Sequence, residues 1–261
     1  MRRVLRKALG KGSLKRSEAA RRIGLREVHA EDTFIVSFPK SGNTWVRFLI
    51  ACMQHPEEEI SFRNIERFVP DIHKSRTSIQ SMPPPRLVKC HTPCFDAFSR
   101  FVYVVRDGRD AMISFYHYAL GAGSFTGSLG EFLGSEEATR YGTWSDHVTG
   151  ALEAVERDPE RALLVRYEDL LSSAVAQAHR IAVFCRLSVA PQAVEGAVAD
   201  CQFSRLQEIE RRYGGELDEG ADFRFFRRGV SGQWRNAAIE RELAPFLEEA
   251  RDALARLGYL E

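Results

Sequence analysis

Paired cysteines, long apolar runs and a charge excess are all missing from this 261-residue chain. The five cysteines, Cys52, Cys90, Cys94, Cys185 and Cys201, are scattered, odd in number and form no CxxC pair. That speaks against both a spaced zinc site and a disulfide framework, and fits a reducing cytoplasm. No run of about 18 apolar residues is present to span a bilayer, and the first residues lack the apolar stretch of a signal peptide. The expectation is a cytoplasmic protein with no integral membrane segment. Basic and acidic residues number 37 and 36, a net charge of +1, so no global field draws the chain to nucleic acid, and none is expected as a partner. Any anion site has to be local. The GxxxxGK[ST] pattern of nucleotide triphosphatases is also absent.

Charge balance breaks only at the start. Within the first 26 residues Arg2, Arg3, Arg6, Lys7, Lys11, Lys15, Arg16, Arg21, Arg22 and Arg26 face only Glu18. Residues 1–30 therefore read as a basic extension, solvated or in weak contact with an acidic membrane surface, ahead of one domain over 31–261.

Along that domain, short β-favouring runs alternate with helical patterns. Residues 33–38 read as a strand that stops at Pro39, and a helix follows through Trp45, Phe48, Leu49 and Cys52. Further strands are expected at 86–90, 101–105 and 162–165, the last two running into Arg106-Asp107-Gly108 and Arg166-Tyr167-Glu168-Asp169 before new helices. Residues 55–85, rich in Pro and Ser, read as an excursion with little regular structure. The pattern predicts a single α/β domain, a mostly parallel central sheet flanked by helices, with a P-loop-like strand-turn-helix. Ligands of such sheets bind beyond the carboxyl ends of the strands, where the unusual polar residues of this sequence gather.

Three segments there suit oxyanions. Pro39-Lys40-Ser41-Gly42-Asn43-Thr44-Trp45 puts a cation, hydroxyls and backbone N–H groups at a helix entry. Arg106 closes a strand and Ser114 follows eight residues later, about two helical turns on. Taken alone, Arg106 is as well read as a surface ion-pair partner. Near the C-terminus, Arg227-Arg228-Gly229-Val230-Ser231-Gly232-Gln233-Trp234-Arg235-Asn236 offers guanidinium groups beside a glycine that lets backbone approach an anion.

Together these segments resemble the PAPS-dependent sulfotransferase family over residues 33 to 236. The first is similar to that family's PKSGTTW element, departing at Asn43. The third is similar to RKGxxGDWKN, with Arg228 and Gln233 as departures. The resemblance implies 3′-phosphoadenosine 5′-phosphosulfate (PAPS) as donor cosubstrate and no metal. It assigns the 5′-phosphosulfate to Lys40, Ser41, Gly42, Asn43 and Thr44, and the 3′-phosphate to Arg106, Ser114, Arg227, Arg228 and Gly229. Adenosine falls to Trp45, Phe203 and Tyr167, the last in the family's YED position. His91, in Lys89-Cys90-His91-Thr92-Pro93, is similar to the histidine of the KTHLP segment and becomes the catalytic base. Lys40 then meets charge on the leaving group and Ser114 restrains Lys40. The implied activity is in-line transfer of a sulfuryl group to a hydroxyl or amine.

Two other readings stay open on the residues themselves, a nucleotide-dependent phosphotransferase and a noncatalytic nucleotide-binding protein. The acceptor has no code. Aromatics such as Phe62, Phe68 and Tyr116 suit a phenolic or lipid-like molecule, while the many charges suit a saccharide, and the reading leans toward carbohydrate or other small hydroxyl metabolites. Whether His117 lines the acceptor pocket is open, as is the oligomeric state.

Overall fold

The computed structural model describes residues 18–217 and 223–260. Four parallel strands, β1 (Thr33–Val36), β2 (Leu87–Cys90), β3 (Arg100–Val105) and β4 (Ala162–Arg166), form one sheet in the order β2-β1-β3-β4. Their register is level at the carboxyl ends. Val36 lies opposite both Cys90 and Tyr103, and Val105 opposite Arg166.

The strands are apolar because both faces are covered. Successive residues point to opposite faces. Phe34, Val36, Val88, Phe101 and Tyr103 enter one core cluster, and Ile35, Val102, Val104 and Val165 the other. Helices α1 (Asn43–Gln54), α2 (Arg76–Ser81), α3 (Gly108–Gly121), α4 (Leu129–Leu133) and α5 (Trp144–Arg157) lie between the first strand and the last, and α6 (Tyr167–Ser172) through α7 (Ala174–Phe184), α8 (Pro191–Asp200) and α9 (Phe203–Tyr213) follow it. The chain closes with α10 (Ala237–Glu242) and α11 (Ala244–Arg256). The first face packs on α3, α5 and α11, the second on α1, α7 and α8.

Two sequence expectations change. The 55–85 excursion contains α2 and a 3-10 turn at Ile65–Arg67. It is pinned by the buried Arg47 guanidinium, which donates to Val69 O at 2.9 Å from Nε and to Glu66 Oε1 at 2.7 Å. The core also reaches N-terminal of residue 31: Ala19, Ile23 and Leu25 are buried in it, so from residue 18 onward the basic segment is packed domain and not a solvated extension. Its apolar residues at helical spacing dock while the arginines stay outside. Residues 1–17, which carry most of its charge, lie outside the described residues. Among the described residues no helix is long and apolar enough to cross a membrane.

Candidate active site

Because the strand ends are level, the residues that follow them meet. A cavity of about 230 Å³ opens there, lined from all four strand ends by Lys40, His91, Arg106 and Tyr167.

The turn after β1 is backbone-strained by design of its sequence. Lys40 has φ 63° and Gly42 φ 103°, and a Cβ on Gly42 would stand 2.7 Å from the Tyr167 ring. Helical bonding in α1 begins with Val46 N–H, which donates to Gly42 O at 3.2 Å. The N–H groups of Asn43, Thr44 and Trp45 lie ahead of that bond and have no helical acceptor, the usual basis of an anion site at a helix start. The Asn43 side chain does something else. Its Nδ2 donates to Ile35 O at 3.0 Å and Ser37 Oγ at 3.3 Å, tying the turn to the end of β1. Thus the Asn43 side chain braces the turn. Ser41 is buried and is not part of the cavity wall.

Among the described residues, Lys40 Nζ is buried without a hydrogen-bond partner. It rests over the ring of Phe225 at 3.4 Å and that of Tyr118 at 4.5 Å. Burial lowers its pKa to about 7, with Glu216 opposing the shift and Lys89 and Arg106 adding to it.

Arg106 leaves β3 directly into the cavity. It donates to Lys40 O at 3.3 Å and Val230 O at 2.8 Å, stacks on Tyr167 at 4.4 Å, and keeps a buried Nε with no partner among the described residues. The loop it touches is held by a residue to which the sequence reading gave no role. Asp110, fully buried in the first turn of α3, accepts from Gly232 N–H at 2.6 Å and Gln233 N–H at 2.8 Å. Arg227 is aligned by Gln233, whose Oε1 accepts from Nη2 at 2.7 Å. Gly229 has φ 63°, and a Cβ there would lie 2.2 Å from the Phe203 ring. Ser114, on α3, and Arg228 complete this side of the wall.

The aromatic trio is brought together. Trp45 meets Tyr167 edge-on at 5.8 Å and is fixed by its Nε1, which donates to Cys201 O at 3.0 Å, while Phe203 starts α9 beside Gly229. His117 is not in the cavity wall; burial, with Arg227 and Arg228 nearby, lowers its pKa to about 4.

His91 follows β2 and is held on every side. Its Nδ1 is 2.8 Å from Ser37 O. A carbonyl only accepts, so Nδ1 carries the proton and Nε2 is the free acceptor. Its backbone N–H donates to His73 Nε2 at 3.2 Å, and its carbonyl accepts from His147 Nε2 at 2.9 Å. Burial, helped by Lys89, lowers the His91 pKa to about 3 against the opposing pull of Asp71. His73 and His147, passed over in the sequence, are thus its supports.

Residues 30–255 match the family model described as the sulfotransferase domain. The chain belongs to the sulfotransferase family. It is 27% identical over 229 residues to Sulfotransferase 2B1 of Mus musculus, covering 80% of this chain and 67% of that protein. Over 249 residues it is 25% identical to Sulfotransferase 1 family member D1 of Mus musculus, covering 85% of this chain and 83% of the relative. Among solved structures, mouse sulfotransferase SULT7A1 complexed with PAP superposes with a TM-score of 0.62 at 22% identity, over 86% of this chain and 84% of that one. Retinol dehydratase in a complex with retinol and PAP gives 0.63 at 18% identity, over 86% and 82%. These likenesses establish a common fold. The family assignment makes this sulfotransferase an enzyme of the PAPS-dependent class, with a single α/β domain as the motifs led us to expect.

Proposed function

We propose that this sulfotransferase moves the sulfuryl group of PAPS onto a hydroxyl or amine of a small-molecule acceptor, with His91 as general base. The observation that carries the reading is a pair of buried basic groups whose donors have no partner among the described residues, Lys40 Nζ and Arg106 Nε, in one cavity with the Nε2 side of His91. Buried, unpaired cationic donors are costly unless a ligand completes them.

The residues fit the donor. Lys40 and the N–H groups of Gly42, Asn43 and Thr44 would hold the phosphosulfate end. Arg106, Ser114, Arg227, Arg228 and Gly229 would hold the 3′-phosphate, with Trp45, Phe203 and Tyr167 around the adenosine. At Gly42 and Gly229 a side chain would collide with Tyr167 or Phe203, so glycine leaves the backbone free to approach an anion. Lys40 offsets negative charge that develops on the leaving bisphosphate, and His91 Nε2 accepts the acceptor's proton. The Lys40 ammonium and the backbone N–H donors would meet that charge, and no metal is assigned a role.

Isothermal titration with adenosine 3′,5′-bisphosphate (PAP), without added metal, tests the reading. Binding by the wild type that weakens at least about tenfold in Arg106→Ala is expected, since a charge-assisted contact is lost. ATP bound as tightly as PAP would favour the phosphotransferase instead, and no binding of PAP by folded protein would sink the proposal.

A further inference from the structure

The half of the cavity around His91 is walled by an ionic chain. Lys89 Nζ lies 2.7 Å from Asp71 Oδ2 and 3.7 Å from Glu216 Oε1, and Lys74 Nζ lies 3.2 Å from the same Glu216 oxygen. The side chains of Lys89, Asp71 and Glu216 are only 5%, 3% and 7% exposed, so these charges meet whatever enters before they meet bulk water. Burial pushes the Glu216 carboxyl up, but Lys89, Lys74 and Lys40 outweigh it and hold it down to about 2. The facing wall is aromatic, the Phe225 and Tyr118 rings against which Lys40 rests.

Each class of acceptor meets this chamber differently. An apolar ring would strip water from the ionic chain and return no hydrogen bonds, leaving fixed charges partly desolvated. An ammonium-bearing acceptor would enter beside Lys40, Lys74 and Lys89. A carboxylated one would have to compete with Asp71 and Glu216 for the lysines they already satisfy. Hydroxyl groups donate to carboxylates and accept from ammonium groups at no change of charge. The C–H face of a saturated hydroxylated ring also packs on aromatic carbon. Only a polyhydroxylated ring matches both walls at once.

We infer that the acceptor is an uncharged, polyhydroxylated ring of the saccharide or cyclitol type, whose non-reacting hydroxyls bind Glu216 and the Asp71–Lys89 pair. Glu216 is then a specificity-determining residue. This assignment rests on the cavity being the sulfotransferase site.

The test uses the full chain, radiolabelled PAPS and two probe panels: methyl β-glucopyranoside and myo-inositol against 2-naphthol and a 3-hydroxysteroid. At least one polyol is expected to be sulfated with a kcat/KM about tenfold or more above that of 2-naphthol, because a site built for hydroxyls rejects analogues that lack them. Glu216→Gln, assayed at saturating PAPS so that any change in the charge of Lys40 drops out of the comparison, should raise the polyol KM about fivefold or more. Glu216→Leu should shift preference toward 2-naphthol. Better transfer to 2-naphthol or the steroid than to every polyol, or no polyol transfer by protein that binds PAP, overturns the acceptor assignment and leaves the sulfotransferase reading standing. Loss of PAP binding in the wild type would remove the reading beneath it, and the assignment with it.

Discussion

His147 Nε2 donates to the carbonyl of His91 at 2.9 Å, and its Nδ1 accepts from the hydroxyl of Tyr103 at 2.8 Å. The carbonyl partner fixes the proton on Nε2, so Tyr103 has to be the donor at Nδ1. Burial lowers the His147 pKa to about 4 and keeps the ring neutral. A chain of hydrogen bonds therefore runs from the middle of β3, through α5, to the backbone of the proposed base.

Breaking that chain should loosen the base without touching the donor. Phenylalanine at position 147 would fill the ring site among Phe38, Phe95 and Tyr103 but leave the His91 carbonyl and the Tyr103 hydroxyl without their partner. His147→Phe is expected to lower kcat about tenfold, the order expected for a slightly misplaced reacting group, with PAP affinity unchanged within about twofold. Nitrogen chemical shifts of the His91 ring would report the tautomer independently. Unchanged kcat together with unchanged shifts would show that His147 merely fills space.

The strand-end cluster was legible because local sequence carries it. Lys40, His91, Arg106 and Tyr167 each follow an apolar run directly, and a parallel sheet brings such positions together. His147 and Asp110 were not legible as site residues. His147 lies in an ordinary amphipathic helix and meets His91 only through tertiary packing, 56 residues apart in sequence. Asp110 sits within a segment read for Arg106 and Ser114, but its partners Gly232 and Gln233 are more than a hundred residues away. The one local signal was an aspartate amid arginines at a helix start, which reads equally well as a favourable interaction with the helix dipole. Packing of Ala19, Ile23 and Leu25 was hidden by the arginines around them.

Removing the Asp110 carboxylate should release the loop it holds. Asp110→Ala leaves the N–H groups of Gly232 and Gln233 and a nearby Arg106 guanidinium, 4.0 Å from the carboxylate, without their anion. A weakening of PAP binding of about tenfold or more is expected, with faster hydrogen exchange at the two amides. Slow exchange retained in the variant would mean that the loop is held by something else.

Two glycines with nearly the same φ separate conformational strain from site shape. Gly229 and Gly123 have φ of 63° and 65°, but a Cβ at Gly229 meets Phe203 at 2.2 Å, whereas one at Gly123 meets nothing within 4 Å among the described residues. Alanine at either position should cost about 1 kcal/mol in stability through the left-handed backbone alone. Only Gly229→Ala should also displace Phe203 and weaken PAP binding, by about tenfold or more. Equal PAP affinities for the two variants would detach Phe203 from the adenosine site.

Lys40 sets how donor binding responds to pH. With its pKa lowered to about 7 by burial, the free enzyme holds Lys40 half protonated near neutrality. A bound phosphate favours the ammonium form, so binding above pH 7 takes up a proton, and affinity falls as pH rises until the pKa of the complex is passed. Below pH 7 the residue is already charged and its contribution is flat. His91, lowered to about 3, is neutral throughout that range and adds no slope. Titrations of PAP near pH 8, in buffers of different ionisation enthalpy, should therefore show uptake approaching one proton in the wild type and less in Lys40→Met. The same substitution should raise thermal stability, because the folded chain holds the Lys40 proton less tightly than the unfolded one, a penalty that is full below pH 7 and fades as pH rises toward 10.5. Equal proton uptake in both proteins would mean that Lys40 is already fully charged before the donor arrives, and that its seat on Phe225 and Tyr118 carries none of the pH response.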